Sequence, residues 1–234
     1  MFKGQRFIEN RSQGVPTGIH ELDKIICGMD NGDVVLIAAR PSVGKTAIGM
    51  QIALNSAKAR STAFISLEMT LEQLYDRIIA SESGIELNRI RRACSTNSTE
   101  WDIFDSANDS LGEKKLTVVD DINTVPEIYM FLKRKHAKLA IIDYAQLIKA
   151  ESRYKGNRYA EVGEISHSIK QMAKKLNIPI IVLAQLNRVK DETSEPSMTE
   201  IRESGDFEQD ASVIVLMWNK TEDKVEKGIQ VEKN

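Results

Sequence analysis

Gly44, Lys45 and Thr46 stand in a row and carry the clearest chemistry in the chain. A lysine and a hydroxyl directly after a glycine, where a helix begins, suit a polyphosphate. Backbone N–H groups wrap the anion, the ammonium of Lys45 reaches its terminal phosphates, and the Thr46 hydroxyl holds Mg2+. The candidate loop is Ser42, Val43, Gly44, Lys45, Thr46 and Ala47. Ala39 replaces the first glycine of the usual G-x-x-x-x-G-K-[ST] pattern. The plain alternative is a chance Gly-Lys-Thr, and the order of apolar strand, loop and helix argues against it. Three more polar residues end apolar runs. Asp143 follows Leu139 to Ile142 and fits an aspartate that orients Mg2+ and its waters, against a plain turn-forming strand end. Glu68 follows Thr62 to Leu67 and is the best candidate base for water attack, against a helix cap or a solvated acid. Gln185 ends Ile180 to Ala184 and could sense a terminal phosphate, against a satisfied strand end.

These residues need strands to line them up. Apolar runs at 34–39, 62–67, 116–119, 139–143, 180–185 and 213–218 read as six strands, with a further short one at 229–231. Helical patterns separate them. A short one covers Ile19 to Ile26, with Ile19, Leu22, Ile25 and Ile26 on one face; another runs from Thr46 to about Lys58. Thr70-Leu71-Glu72-Gln73 and Thr124-Val125-Pro126-Glu127 are capping boxes opening two more, the first stopped by Gly84. Trp101 to Leu111 and Arg158 to Leu176 complete the set, the last with Val162, Ile165, Ile169, Met172, Ala173 and Leu176 on one face. Strands that are apolar throughout and alternate with helices predict an α/β fold, a mostly parallel sheet covered on both faces. In such a sheet the ligand site lies at the carboxyl ends of the strands, where all four candidates fall.

The bulk numbers leave this reading room and close others. The 234 residues allow one large domain or two small ones, and 41% hydrophobic with 28% charged content is ordinary for a globular chain. A net charge of −2 announces neither nucleic acid nor membrane, so any basic surface is local. Cys27 and Cys94 lack metal or disulfide spacing, which suits a reducing, cytoplasmic setting, and no apolar run approaches a membrane span. Arg153, Lys155 and Arg158, interleaved with Tyr154 and Tyr159, form a basic-aromatic loop that could follow a nucleic-acid backbone or simply be solvated. Lys133-Arg134-Lys135 reads as a helix C-terminus favoured by the dipole. His20, His136 and His167 are scattered and receive no chemistry, and Trp101 and Trp218 read as packing residues.

Taken together, several segments resemble the motor domain of DnaB-type replicative helicases. They are Gly14-Val15-Pro16-Thr17-Gly18 with Leu22-Asp23, Ala38 to Thr46, Ser66-Leu67-Glu68-Met69 and Ile141-Ile142-Asp143-Tyr144. Ala184 to Arg188, and Ile201 to Gly205 with Glu208-Gln209-Asp210-Ala211, complete the match from about Gly14 to Trp218. The resemblance implies a RecA-like P-loop ATPase core and a ring homohexamer with ATP and Mg2+ between neighbours. It also implies single-stranded DNA drawn through the channel, and a primase and a helicase loader as partners. By position, Lys45 and Thr46 match the phosphate and magnesium ligands, Glu68 the catalytic glutamate, Asp143 the Walker B aspartate and Gln185 the link to the DNA loops. Arg202, Glu203 and Gly205 match the segment lying against DNA phosphates, where glycine allows close backbone approach. The 187–200 loop holds Arg188 and Lys190 but also Asp191, Glu192 and Glu195, a net negative charge that argues against a strong grip on DNA.

Two departures from the family shape the expectation. Residues 1–13 read as a linker or arm before a motor domain at 14–234, where the family has an N-terminal domain and a linker helix. Val231 to Asn234 enters the family's basic finger, with Lys233 matching its lysine; the arginine and the closing strands that follow are missing. The expectation is a domain truncated at its C-terminus that binds nucleotide, hydrolyses ATP slowly and unwinds poorly alone. The alternatives are a RecA- or RadA-like recombination ATPase, and a nucleotide-gated ring module that does not translocate. The Ala-Arg-Pro-Ser loop together with Arg-Glu-Ser-Gly argues against both.

Overall fold

Strand β1, Val34–Ala39, is buried at all six positions. An apolar run without alternation must be covered on both faces, and the computed structural model shows how. It describes residues 14–92, 98–149, 157–187, 189, 191–201 and 205–234, without the side chain of Arg158. In chain order the elements are α1 His20–Ile26, β1, α2 Lys45–Ala57, β2 Thr62–Ser66, α3 Leu71–Ser83, α4 Leu87–Arg92, α5 Ser98–Gly112 and β3 Leu116–Val119. There follow α6 Val125–Arg134, β4 Leu139–Asp143, α7 Arg158–Leu176, β5 Ile180–Gln185, α8 Gly205–Asp210, β6 Val213–Asn219 and β7 Lys227–Lys233. Among the described residues, single 3-10 turns lie at Ala145–Leu147 and Met198–Glu200.

The strands form one seven-stranded sheet in the order β3-β2-β4-β5-β1-β6-β7. All neighbouring pairs are parallel except the edge pair β6–β7. Alternate residues of each central strand feed opposite cores. Leu36, Ile142 and Val182 pack with α6, α7 and Phe207 of α8. Ile37, Ile141 and Leu183 pack with α1, α2 and α3. The doubly covered parallel sheet read from the apolar runs is therefore observed. Two short helices, α4 and α8, were not legible; each has only six residues and no hydrophobic period to announce it. Trp101 corrects another expectation. It is 49% exposed and meets Phe104 edge to face, centroids 5.7 Å apart, so it is not a core residue.

Glycine spacing tunes how α2 lies on the sheet. A Cβ added to Gly49 would sit 2.7 Å from Leu183 Cδ1 and 3.5 Å from Ile141 Cγ2. The helix thus rests directly on β5 and β4, which carries its first residues towards the end of β4. Ahead of β1, Asp23 ties down the Gly14–Gly18 turn: it accepts from Thr17 N and Oγ1 and from Gly18 N at 2.7–2.9 Å. Among the described residues no helix is long and apolar enough to cross a membrane.

Candidate active site

The loop between β1 and α2 turns through two left-handed residues, Ser42 (φ 62°) and Gly44 (φ 111°). Gly44 supplies the conformation without steric cost, while Ser42 holds it as a non-glycine residue. The turn delivers Lys45 and Thr46 as the first residues of α2. Val43 is 2% exposed and packs in the core, so this residue offers the site backbone rather than side chain. Ala47 is exposed in the first turn of the helix.

Register brings the other strand ends alongside. Ser66 pairs with Asp143, Asp143 with Leu183, and Ala39 with Gln185. Asp143 is fully buried. Its Oδ2 accepts from the Thr46 hydroxyl at 2.6 Å, and its Oδ1 lies 2.9 Å from Lys45 Nζ. The ammonium is within ion-pair range but off the hydrogen-bond direction, so Oδ1 accepts no hydrogen bond. Lys45 Nζ also lies 3.8 Å from Glu68 Oε2 and 3.9 Å from the centre of the Tyr144 ring. The ring face offers the cation a third partner. The Glu68 side chain is 51% exposed, open to water on the side away from Lys45. One ammonium is therefore shared between two carboxylates at the mouth of the sheet. The arrangement can exchange a carboxylate for phosphate oxygen at Lys45, and it leaves Asp143 Oδ1 with unused acceptor capacity.

Four sequence-predicted residues thus converge: Lys45, Thr46, Glu68 and Asp143. Gln185 stands half-buried at the same edge, beside Ala39. Lys233 does not join them. Its Nζ donates to the carbonyls of Glu208 (3.0 Å) and Gln209 (3.2 Å), capping α8 within its own chain. Gly205 opens α8, and a Cβ there would lie 2.8 Å from the Tyr159 hydroxyl oxygen. The start of α7, where Arg158 stands, is thereby brought against the start of α8. Arg153, Lys155, Arg202 and Glu203 lie outside the described residues, as does the arm at 1–13.

Sequence reasoning passed over one residue of this site, Tyr144, and one that stands outside it at the end of β1, Arg40. Tyr144 follows Asp143 directly, and nothing in its type announced a ring beneath Lys45. Arg40 is 3% exposed and pairs with Glu200 Oε2 at 3.0 Å. A charged residue at the end of a fully apolar strand was the available signal. Among the described residues no group of three His, Cys, Asp or Glu side chains could hold a metal ion.

A family model described as the DnaB-like helicase C terminal domain matches residues 14–234. The chain belongs to that family. Its sheet and helices are the RecA-like P-loop ATPase core of DnaB-like helicases. The chain is 38% identical over 214 residues to the replicative DNA helicase DnaC of Bacillus subtilis (strain 168), across 88% of this chain and 47% of that protein. It is 37% identical over 215 residues to the replicative DNA helicase DnaB of Geobacillus stearothermophilus, with the same coverages of 88% and 47%. The chain spans about half the length of the curated relatives it matches. A solved structure of an ATPase domain superposes with a TM-score of 0.88 at 28% identity, over 99% of this chain and 88% of that one. A structure of a DnaB-like replicative helicase and its interactions with primase superposes with a TM-score of 0.83 at 29% identity, over 92% and 54%.

Proposed function

We propose that this family member is the ATP-driven motor domain of a replicative DNA helicase, comprising residues 14–234. The observation that carries the reading is the convergence of Lys45, Thr46, Glu68 and Asp143 at the carboxyl ends of parallel strands. In the proposed roles, the 42–47 loop and Lys45 hold the triphosphate. Phosphate charge competes with Asp143 and Glu68 for the Lys45 ammonium. Thr46 and Asp143 would hold Mg2+, and the buried, unsaturated Oδ1 of Asp143 fits that duty. Mg2+ commonly uses one or two protein oxygens and takes the rest from water and phosphate. When bound, it neutralises charge building on the phosphate oxygens. Glu68 takes a proton from water as the water oxygen attacks the terminal phosphorus and the bond to the bridging oxygen breaks. Gln185 would report the phosphate to the segments that follow β5.

The same reading assigns single-stranded DNA to Arg202, Glu203 and Gly205, joined by Arg153, Lys155 and Arg158. The approach of Tyr159 to Gly205 supports treating the two segments as one surface. A homohexamer, with Lys233 acting on a neighbour's nucleotide, belongs to this proposal, as do a primase, a helicase loader and a bacterial or phage-infected cytoplasm. For Lys233 that role requires release from the α8 carbonyls. The testing experiment is ATPase turnover with and without single-stranded DNA. Lys45→Ala abolishes it. Glu68→Gln keeps ATP binding and loses about 10²- to 10⁴-fold in turnover, the usual worth of a general base. Surviving turnover in the Gln variant removes Glu68 from the role.

A further inference from the structure

Arg40 follows the last residue of β1, two positions ahead of the 42–47 loop, and its side chain bonds to residues 151 to 160 positions away. Its Nε donates to Glu200 Oε2 at 3.2 Å, and its Nη2 to Oε2 at 3.0 Å and Oε1 at 3.3 Å. Its Nη1 donates to the carbonyls of Ser194 (2.7 Å) and Glu192 (3.1 Å), with that of Asp191 at 3.5 Å, and Nη2 also reaches Ser194 Oγ at 3.3 Å. A buried guanidinium so fully engaged is held in one geometry by its fork of donors. The base of the same segment is fastened to the same strand. Leu186 N donates to the carbonyl of Ala39 at 3.0 Å, Asn187 N to that of Glu200 at 2.8 Å, and Leu186 forms an antiparallel bridge with Ile201. Ile201 precedes Arg202 directly. The loop that would grip phosphate and the root of the 202–205 segment therefore share one set of bonds through Ala39 and Arg40.

The geometry points to Arg40 as a positioning residue that makes the phosphate loop and the 187–201 segment move as one body. Nucleotide occupancy then reaches the Arg202–Gly205 segment through Arg40 as well as through Gln185. The bonds of Arg40 run to the 191–200 segment and those of Lys45 to Asp143 and Glu68, so the pair acts on coupling and not on the chemistry. A net negative loop that is a poor DNA grip becomes intelligible: its acidic residue at 200 and its carbonyls are there to hold an arginine. The inference rests on the reading of residues 42–47 as a nucleotide site.

Hydrogen exchange on this full chain tests it, with and without Mg2+ and the slowly hydrolysed analogue ATPγS. In the wild-type protein, saturating nucleotide changes exchange across 187–201 by about tenfold or more. In Glu200→Gln, and in Arg40→Lys as the charge-conserving companion, the change falls below about threefold while nucleotide affinity stays within about threefold. The Lys variant keeps the charge but not the fork, so it separates geometry from electrostatics; a full response there overturns the fork as the cause. Exchange that ignores bound nucleotide in the wild type overturns the inference, as does an undiminished response in Glu200→Gln. A loss of nucleotide affinity beyond tenfold in Arg40→Lys also overturns it, by making Arg40 a nucleotide ligand. Failure of the wild-type chain to bind ATPγS overturns the nucleotide reading itself, a result the loop exchange cannot produce.

Discussion

A carboxylate taken wholly out of water is expensive unless charge and hydrogen bonds replace its hydration. Asp143 meets that cost with the Thr46 hydroxyl on one oxygen and the Lys45 ammonium beside the other. The same pairing sets a competition. Lys45 is shared with Asp143, Glu68 and the Tyr144 ring, so in its proposed role phosphate must draw it from them. Asp143→Asn separates these effects. With Mg2+ present, nucleotide affinity falls about tenfold, equivalent to roughly 1.4 kcal/mol, because a charged metal ligand is gone. With the metal chelated, affinity is unchanged or higher, because Lys45 has lost a competitor. Titration by calorimetry in both conditions reads the sign directly, and an equal loss in both would contradict the arrangement.

At the scale of elements, α2 and α6 show two kinds of control. The close seat of α2 depends on Gly49, where an added Cβ meets Leu183, itself fully buried. Gly49→Ala gains up to about 1 kcal/mol of helix propensity but overpacks the core at about 1–3 kcal/mol. Urea unfolding should show a net loss of up to about 2 kcal/mol, the difference of those two effects; a gain would mean that α2 lies farther from β5 than the Gly49 contact requires. Helix α6 opens with Thr124 and Glu127 bonded to each other's backbone. The Thr124 hydroxyl, then the N–H groups of Asn123 and Thr124, hold the Glu127 carboxyl below its ordinary value of 4.5. A depressed carboxyl stabilises the fold above the unfolded value and loses that contribution as pH falls through the folded one. The stability advantage of the wild type over Glu127→Gln is therefore constant from about pH 7 to about 4.5 and shrinks below. Thermal melts across that range check it.

Over the whole molecule, the sheet works as a bench with chemistry at one end. Parallel strands share a direction, so four polar residues far apart in sequence arrive at one edge. The face covered by α1, α2 and α3 carries the 42–47 loop, and the other face carries the starts of α7 and α8, where DNA contact is proposed. Phosphate contacts by that surface are salt-dependent, about 0.7 in the log–log slope for each one made to a single strand. Arg202→Ala should lower the salt slope of single-stranded DNA binding by about 0.7 and weaken all sequences alike. Fluorescence anisotropy on several oligonucleotides at varied salt measures both, and a sequence-dependent loss would point to base contact instead.

What was legible in the sequence was whatever short-range physics decides. Unbroken apolar runs could only be strands covered on both sides. Thr70 and Thr124 capped helices where the capping boxes stood, and α7 spans Arg158 to Leu176 as its apolar stripe required. Gly44-Lys45-Thr46 marked the turn from β1 into α2 because the motif, strand and helix are contiguous. Meetings between distant segments were decided by the tertiary structure alone. No local pattern says that Arg40 grips Glu200, that Tyr144 lies under Lys45, or that Lys233 caps α8 of its own chain. Those contacts depend on strand order and on how closely α2 rests on β5 and β4. Helices of six residues, such as α8, exist because the packed sheet holds them rather than because their own residues demand it.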